Sequence, residues 1–222
     1  MAEVDLLVVG GTVVSPKGRR AADVAVLGGR IVAVGRHGLS ARRTVDASGL
    51  LVMPGGVDTH VHLMDPGDPS REDFPTGTAA AAIAGVTTIV EHTHGSPVRS
   101  VADLTAKQSY LQGRSAVDFG LAAHAWVGET DAVAELWHAG VTFFKLFTCT
   151  THGVPGHDPA ALQGHLAATA RVGAVSLMHC EDESLTGAAE KVLREDGRAD
   201  GALLLEWRNR DAEVVAAAVA SI

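Results

Sequence analysis

Cysteine is scarce in this chain, and that scarcity excludes a small disulfide-stapled fold: only Cys149 and Cys180 occur among 222 residues. Both read as packed or site-lining thiols in a reducing cytoplasm. Long apolar runs are also missing, since the longest fall far short of the ~20 residues a membrane-spanning helix needs. The start, Met1-Ala2-Glu3, lacks the basic residues of a secretion signal. No cluster of positive charge is found, and a formal net charge of −8 argues against a protein that holds nucleic acid by counterion release. The acidity serves solubility.

What is present suits a soluble globular enzyme. Apolar residues make up 46% of the chain, enough for a sizeable core, and abundant Gly and Ala fit tight α/β packing. The rhythm of the sequence changes once. Leu6–Val14, Asp23–Val34 with its Gly28-Gly29 turn, and Thr44–Val52 alternate or run apolar between turn residues. This predicts short antiparallel strands forming part of a small β-sandwich over residues 1–53.

From residue 54 to 222 strand alternates with helix, the pattern of a parallel sheet with crossover helices. Strands are expected at Val57–His60, Thr87–Glu91, Asp118–His124, Thr142–Phe147 and Ala174–His179. Helices are expected at Thr76–Ala84, Val101–Gln112, Asp131–His138, Pro159–Arg171, Glu183–Glu195 and Ala202–Ala220. The expected fold class is therefore α/β, and what the chain resembles implies the (β/α)8 TIM-barrel type. A closed barrel needs eight strands and ~250 residues, so with about five strands this one is expected to be incomplete. The natural polypeptide is expected to continue beyond Ile222, or the chain to be an incomplete or degenerate gene product, because open edges at the first and last strands invite pairing with another chain.

The chemistry concentrates at strand ends. Asp58-Thr59-His60-Val61-His62 follows the apolar run Leu50-Leu51-Val52-Met53 and the turn Pro54-Gly55-Gly56. Residues two apart on a strand share a face, so His60 and His62 would stand side by side with Asp58 joining them, and two neutral imidazoles at that spacing can grip a divalent cation. In Gly140–Phe147 a single lysine, Lys145, interrupts a β-rich apolar run. Burial favours its neutral amine, which can add carbon dioxide to form a carbamate. The strand Ala174–Met178 runs into His179, at the same topological place. His92-Thr93-His94 repeats the His-x-His spacing. His152 and His157 lie in the loop Thr151–Pro159, read as exposed and bordering the barrel mouth. The Gly10-Gly11 and Gly28-Gly29 pairs are turns, since no strand–loop–helix unit surrounds them.

Pro54–His62, Gly140–Phe147 and His179-Cys180-Glu181-Asp182, supported by Asp73–Ala82 and Gly85-Val86-Thr87-Thr88, together resemble the amidohydrolase superfamily. The resemblance is to its cyclic-amidase branch of hydantoinases (dihydropyrimidinases), allantoinases and dihydroorotases. It implies that His60 and His62 hold the more buried of two divalent metals, zinc in this branch. It further implies that Lys145 carries a CO2-derived carbamate bridging both metals, and that His179 binds the second. A further histidine and a general-base aspartate are expected beyond residue 222.

The implied reaction is hydrolysis of a C–N bond in a small cyclic amide or ureide by a metal-activated hydroxide, in a cytoplasmic homodimer or homotetramer. Leu63-Met64-Asp65 stands where dihydroorotases carry an arginine, and Thr150 where hydantoinases often carry a tyrosine. No single substrate follows; His94 and Thr150 are the candidate substrate contacts. Relatives carry apolar or amide residues at the His92–His94 position, which makes this pair a substrate rim rather than a third metal site. The competing reading is a non-catalytic scaffold or assembly protein on the same fold, and retention of the four implied ligands favours the enzyme.

Overall fold

The computed structural model describes residues 3–182 together with 184, 188, 191, 194 and 195. The chain divides into two compact units, one ending at Gly55 and the other beginning at Gly56. The first unit contains β1 (Val4–Val9), β2 (Thr12–Ser15), β3 (Gly18–Ala21), β4 (Asp23–Leu27), β5 (Arg30–Gly35), β6 (Ala41–Asp46) and β7 (Leu51–Val52). They form two sheets, ordered β5-β4-β1-β6 and β3-β2-β7. Gly28 and Gly29, at φ 59° and 73°, make the two-residue turn that joins β4 to β5; positive φ at both central residues matches the twist of a tight hairpin.

The expectation of purely antiparallel pairing is corrected here: β1 runs parallel to β6, and β2 parallel to β7. The apolar run Leu6–Val14 is not one strand. Gly10, at φ 74°, breaks it and passes the chain from one sheet to the other. The run Thr44–Val52 breaks as well, where Ser48 N donates to Asp46 Oδ1 at 2.9 Å. Each broken run therefore supplies one strand to each sheet, and the two runs lie side by side in the same direction. Val4, Leu7 and Ala25 form the buried centre of the four-stranded sheet.

The second unit contains β8 (Gly56–Val61), α1 (Phe74–Ile83), β9 (Val86–Glu91), α2 (Val101–Leu111), β10 (Asp118–Leu121), β11 (Ala123–His124), α3 (Ala132–Ala139), β12 (Phe144–Phe147), α4 (Pro159–Val172) and β13 (Ser176–His179). Among the described residues, every pairing between these strands is parallel. The strand expected at Asp118–His124 is two short pieces. At Ala122 the hydrogen bonding changes sides, with Ala122 N donating to Glu91 O and Ala123 N to Phe143 O. The strands follow one another in chain order, as in the wall of a β/α barrel.

Helix starts are set by side chains that accept otherwise unpaired N–H groups. Asp73 accepts from Thr76 N at 2.7 Å, Asp158 accepts from Ala161 N at 2.7 Å, and Ser100 with Asp103 forms a reciprocal capping box. Phe74, Ile89, Leu104, Leu111, Phe144, Leu146 and Leu162 fill the core between helices and strands. The helix expected at Glu183–Glu195 lies largely outside the described residues, and that at Ala202–Ala220 wholly so. Among the described residues, no helix is long and apolar enough to cross a membrane.

Candidate metal site

Parallel strands point their carboxyl ends the same way, and in the second unit those ends carry the polar side chains. β8 delivers His60 and His62, β9 is followed by His92 and His94, β11 ends on His124, β12 carries Lys145 and β13 ends on His179. Register aligns them, with His124 opposite Lys145 and Phe147 opposite His179. A cavity of about 500 Å³ opens there, lined by His60, His62, His94, Lys145, His152 and His179 among others. A groove of about 670 Å³ beside Arg99 and Glu129 lies elsewhere; these two charges already pair with each other, and it has no histidine.

Asp58 does not join the histidines. The β8–β9 register shifts between Asp58 and Val61, interrupting the two-residue alternation, and Asp58 Oδ1 instead accepts from His60 N at 3.1 Å. His62 Nδ1 donates to the carbonyl of His92 at 3.1 Å. That bond places the proton on Nδ1 and leaves the Nε2 lone pair free, the arrangement found in imidazoles that hold metals. Burial, with the neighbouring His60, lowers the His62 pKa to about 4. Burial and then Lys145 lower that of His60. Both rings are therefore uncharged donors at neutral pH.

Lys145 is 2% exposed and makes no ion pair among the described residues. Its Nζ sits 5.1 Å from the Phe147 ring centroid, and burial lowers its pKa. His179 Nε2 lies 2.8 Å from Glu181 Oε1, and Glu181 is anchored through its N–H to Thr148 Oγ1 at 2.9 Å.

A second layer of histidines surrounds these residues. His94 Nδ1 meets His124 Nε2 at 3.1 Å, and the His94 ring stacks on His152 at 4.9 Å. Burial lowers the pKa of both His94 and His124 to about 3. His92 is wholly buried, with ring centroids 4.7 Å from His60 and 4.3 Å from His62. The sequence signal for this layer was the repeated His-x-His spacing at a second strand end.

Thr150 is absent from the cavity lining and accepts from Gly156 N at 3.3 Å, so it shapes the loop while its neighbours Thr151 and His152 face the cavity. His157 is not an exposed loop residue; it is 4% exposed and bonds through Nδ1 to the Phe147 carbonyl at 3.2 Å. Cys149 is buried, and its sulfur lies with donor atoms of His179 and Glu181 inside a 4.8 Å circle.

The donor set fits a divalent cation. Ring nitrogens of His60, His62 and His92 lie within 4.8 Å of one another, and uncharged imidazole nitrogens suit zinc and its neighbours.

A parallel β/α wall with imidazoles and a buried lysine gathered at its carboxyl rim defines a class, that of barrel-type proteins with their chemistry on that face. The Amidohydrolase family model matches residues 51–200, and the chain belongs to that family, whose members are metal-dependent. It is 33% identical over 226 residues to an allantoinase of Enterococcus faecalis, covering 96% of this chain and 50% of that protein. It is 32% identical over 203 residues to an allantoinase of Escherichia coli strain K12, covering 87% and 45%. The L-hydantoinase (dihydropyrimidinase) of Arthrobacter aurescens superposes with a TM-score of 0.89 at 28% identity, over 96% of this chain and 49% of that one. The chain thus spans about half the length of the relatives it matches.

Proposed function

We propose that this chain is the metal-holding portion of a hydrolase that opens a C–N bond in a small cyclic amide or ureide. His60, His62, Lys145 and His179 are its ligands for a binuclear zinc centre, and Lys145 carries the bridging carbamate. The observation that carries this reading is the convergence of these side chains on one cavity at the strand ends. Kinship with an allantoinase and an L-hydantoinase supports the substrate class. A division into a sandwich segment over 1–53 and a barrel segment over 54–222, a homo-oligomer and a cytoplasmic location belong to the same reading.

When bound, divalent cations supply an activated water, with pKa lowered toward ~7, and polarise the scissile carbonyl. The chain's residues prepare for that chemistry. His60 and His62, kept neutral by burial, present lone pairs instead of protons. The His92 carbonyl holds the His62 ring in one orientation. Lys145, disfavoured as an ammonium, offers its amine lone pair to CO2; a new N–C bond forms, one proton leaves nitrogen for water, and two carbamate oxygens become available. His94 and His152, stacked at the cavity wall, present a face for a planar amide or ureide ring.

The test uses protein purified from its native host, loaded with Zn2+ and offered allantoin, hydantoin, dihydrouracil and dihydroorotate. Chelator-sensitive ring opening of at least one, lost in Lys145→Met and His60→Ala, is expected. A fully metal-loaded protein inert toward the whole panel would refute the proposal.

A further inference from the structure

We propose that His92 is a metal ligand, so that His60, His62 and His92 form a three-imidazole cation site that holds one divalent ion without the Lys145 carbamate. The inference rests on the metal reading above and extends it to a residue outside the implied ligand set.

His92 has 0% exposure, and neither of its ring nitrogens has a hydrogen-bond partner. A buried neutral imidazole carries one donor and one acceptor, and leaving both unmet is costly and rare in folded proteins. Its surroundings offer little relief: Phe143 packs edge-on at 5.4 Å, the rings of His60 and His62 lie nearest at 4.7 and 4.3 Å, and those of His94 and His124 stand farther off at 6.2 and 6.5 Å. His62 Nδ1 is already committed to the His92 carbonyl, which leaves His62 Nε2 as the free lone pair beside the His92 ring. Donor atoms of the three residues lie within 4.8 Å of one another. Tetrahedral zinc, with Zn–N of ~2.0–2.1 Å, sets ligand nitrogens roughly 3.3–3.4 Å apart, so ring rotations alone could close the set.

The backbone holds His92 in place for this role. His92 N donates to Val61 O at 3.1 Å, which ties the end of β9 to β8, and Thr93 N donates to Glu91 Oε1 at 2.6 Å, which fixes the turn just after the ring. Three imidazoles would suffice to retain one ion in the absence of the carbamate. The bridging Lys145 carbamate would then add a ligand to that ion and join it to the second.

The experiment measures Co2+ and Zn2+ binding to the full chain by equilibrium dialysis in CO2-depleted buffer, for Lys145→Met alone and combined with His92→Leu. Lys145→Met is expected to keep one tightly bound ion. Adding His92→Leu is expected to weaken it by more than ~100-fold, beyond the 10–100-fold loss typical of a residue that merely orients a ligand. X-ray absorption on the unmutated protein carrying one equivalent of Zn2+ counts imidazoles directly and does not depend on a variant folding; three are expected. Two imidazoles, or unchanged affinity in the folded double variant, would overturn the role of His92. If His60→Ala abolishes binding while His92→Leu does not, the proposed ligands stand and this inference alone fails. If neither matters, the metal reading of the site fails with it.

Discussion

Glu91 and Lys107 form an ion pair in which the side chains are 0% and 4% exposed, and replacing Lys107 with methionine tests what it contributes. Lys107 Nζ approaches Glu91 Oε2 to 2.6 Å, yet off the direction of a good hydrogen bond, so the two are held chiefly by charge. The ammonium also donates to Ser96 O at 3.1 Å, and Glu91 Oε1 accepts from Thr93 N at 2.6 Å. Methionine keeps the length and apolar stem of lysine, so little packing changes. What changes is that a carboxylate stays buried without its counter-charge. Removing one partner of a buried pair costs about 3–5 kcal/mol. The surviving bond from Thr93 N puts the expected loss near the lower end, about 3 kcal/mol, or ~6–12 °C in Tm for a chain of this size.

Combining Lys107→Met with Glu91→Gln removes the stranded charge while keeping an acceptor for Thr93 N. It is expected to recover at least about half of the loss, ~1.5 kcal/mol. Urea and thermal unfolding followed by far-UV circular dichroism read both numbers. A Lys107→Met protein within about 1 kcal/mol of the parent, or a double variant no more stable than the single one, would refute the reasoning. Because this pair sits at the end of β9 immediately before His92, the single variant should also weaken metal binding if the ring's placement depends on it.

Gly156 has no room for a side chain: a Cβ there would meet the Cys149 carbonyl carbon at 2.6 Å and its Cα at 2.8 Å. Gly156→Ala should therefore cost ~1–3 kcal/mol and disturb the bond from His157 to the Phe147 carbonyl, visible as a lowered Tm. His165, 3% exposed, has its pKa lowered from 6.5 to about 4 by burial and then by His157. The unfolded chain takes up this proton below pH 6.5 and the folded one only near 4, so this contribution is intact above pH 6.5 and lost as pH falls, up to about 3 kcal/mol. Urea midpoints between pH 7 and 4.5 should fall less in His165→Gln than in the parent; parallel curves would contradict this. Removing bound metal with a chelator should lower Tm by the linkage free energy, about 2.7 kcal/mol for an ion held at a hundred times its Kd. An unchanged Tm after complete removal, verified by elemental analysis, would mean the folded state gains nothing from the ion.

The β/α half of the fold was legible because its punctuation is local. Pro54-Gly55 precedes β8, Asp73, Ser100 and Asp158 cap the helices, and apolar runs of strand length lie between them. The first unit was less legible. Alternation within Leu6–Val14 shows that the segment is extended, but not that Gly10 divides it between two sheets or that its neighbours run parallel. The same limit hid the break at Ala122, since the residues on both sides are buried and apolar while only their hydrogen-bond partners change.

The site divides along the same line between what a residue is and what packs around it. His60, His62, Lys145 and His179 stood out because a polar side chain at the end of an apolar strand is conspicuous in one dimension, and the parallel strands then bring all of them to one cavity. His92 is equally conspicuous by spacing, which alone suggests a substrate rim. What distinguishes it is not spacing but the lack of any partner for either ring nitrogen in a fully buried place. His157 shows the converse: its glycine- and proline-containing loop predicted exposure, yet the Phe147 carbonyl draws it inside. Both are buried histidines near the same rim, but His157 has a backbone partner that accounts for its position. His92 has none, and a divalent ion shared with His60 and His62 would supply it.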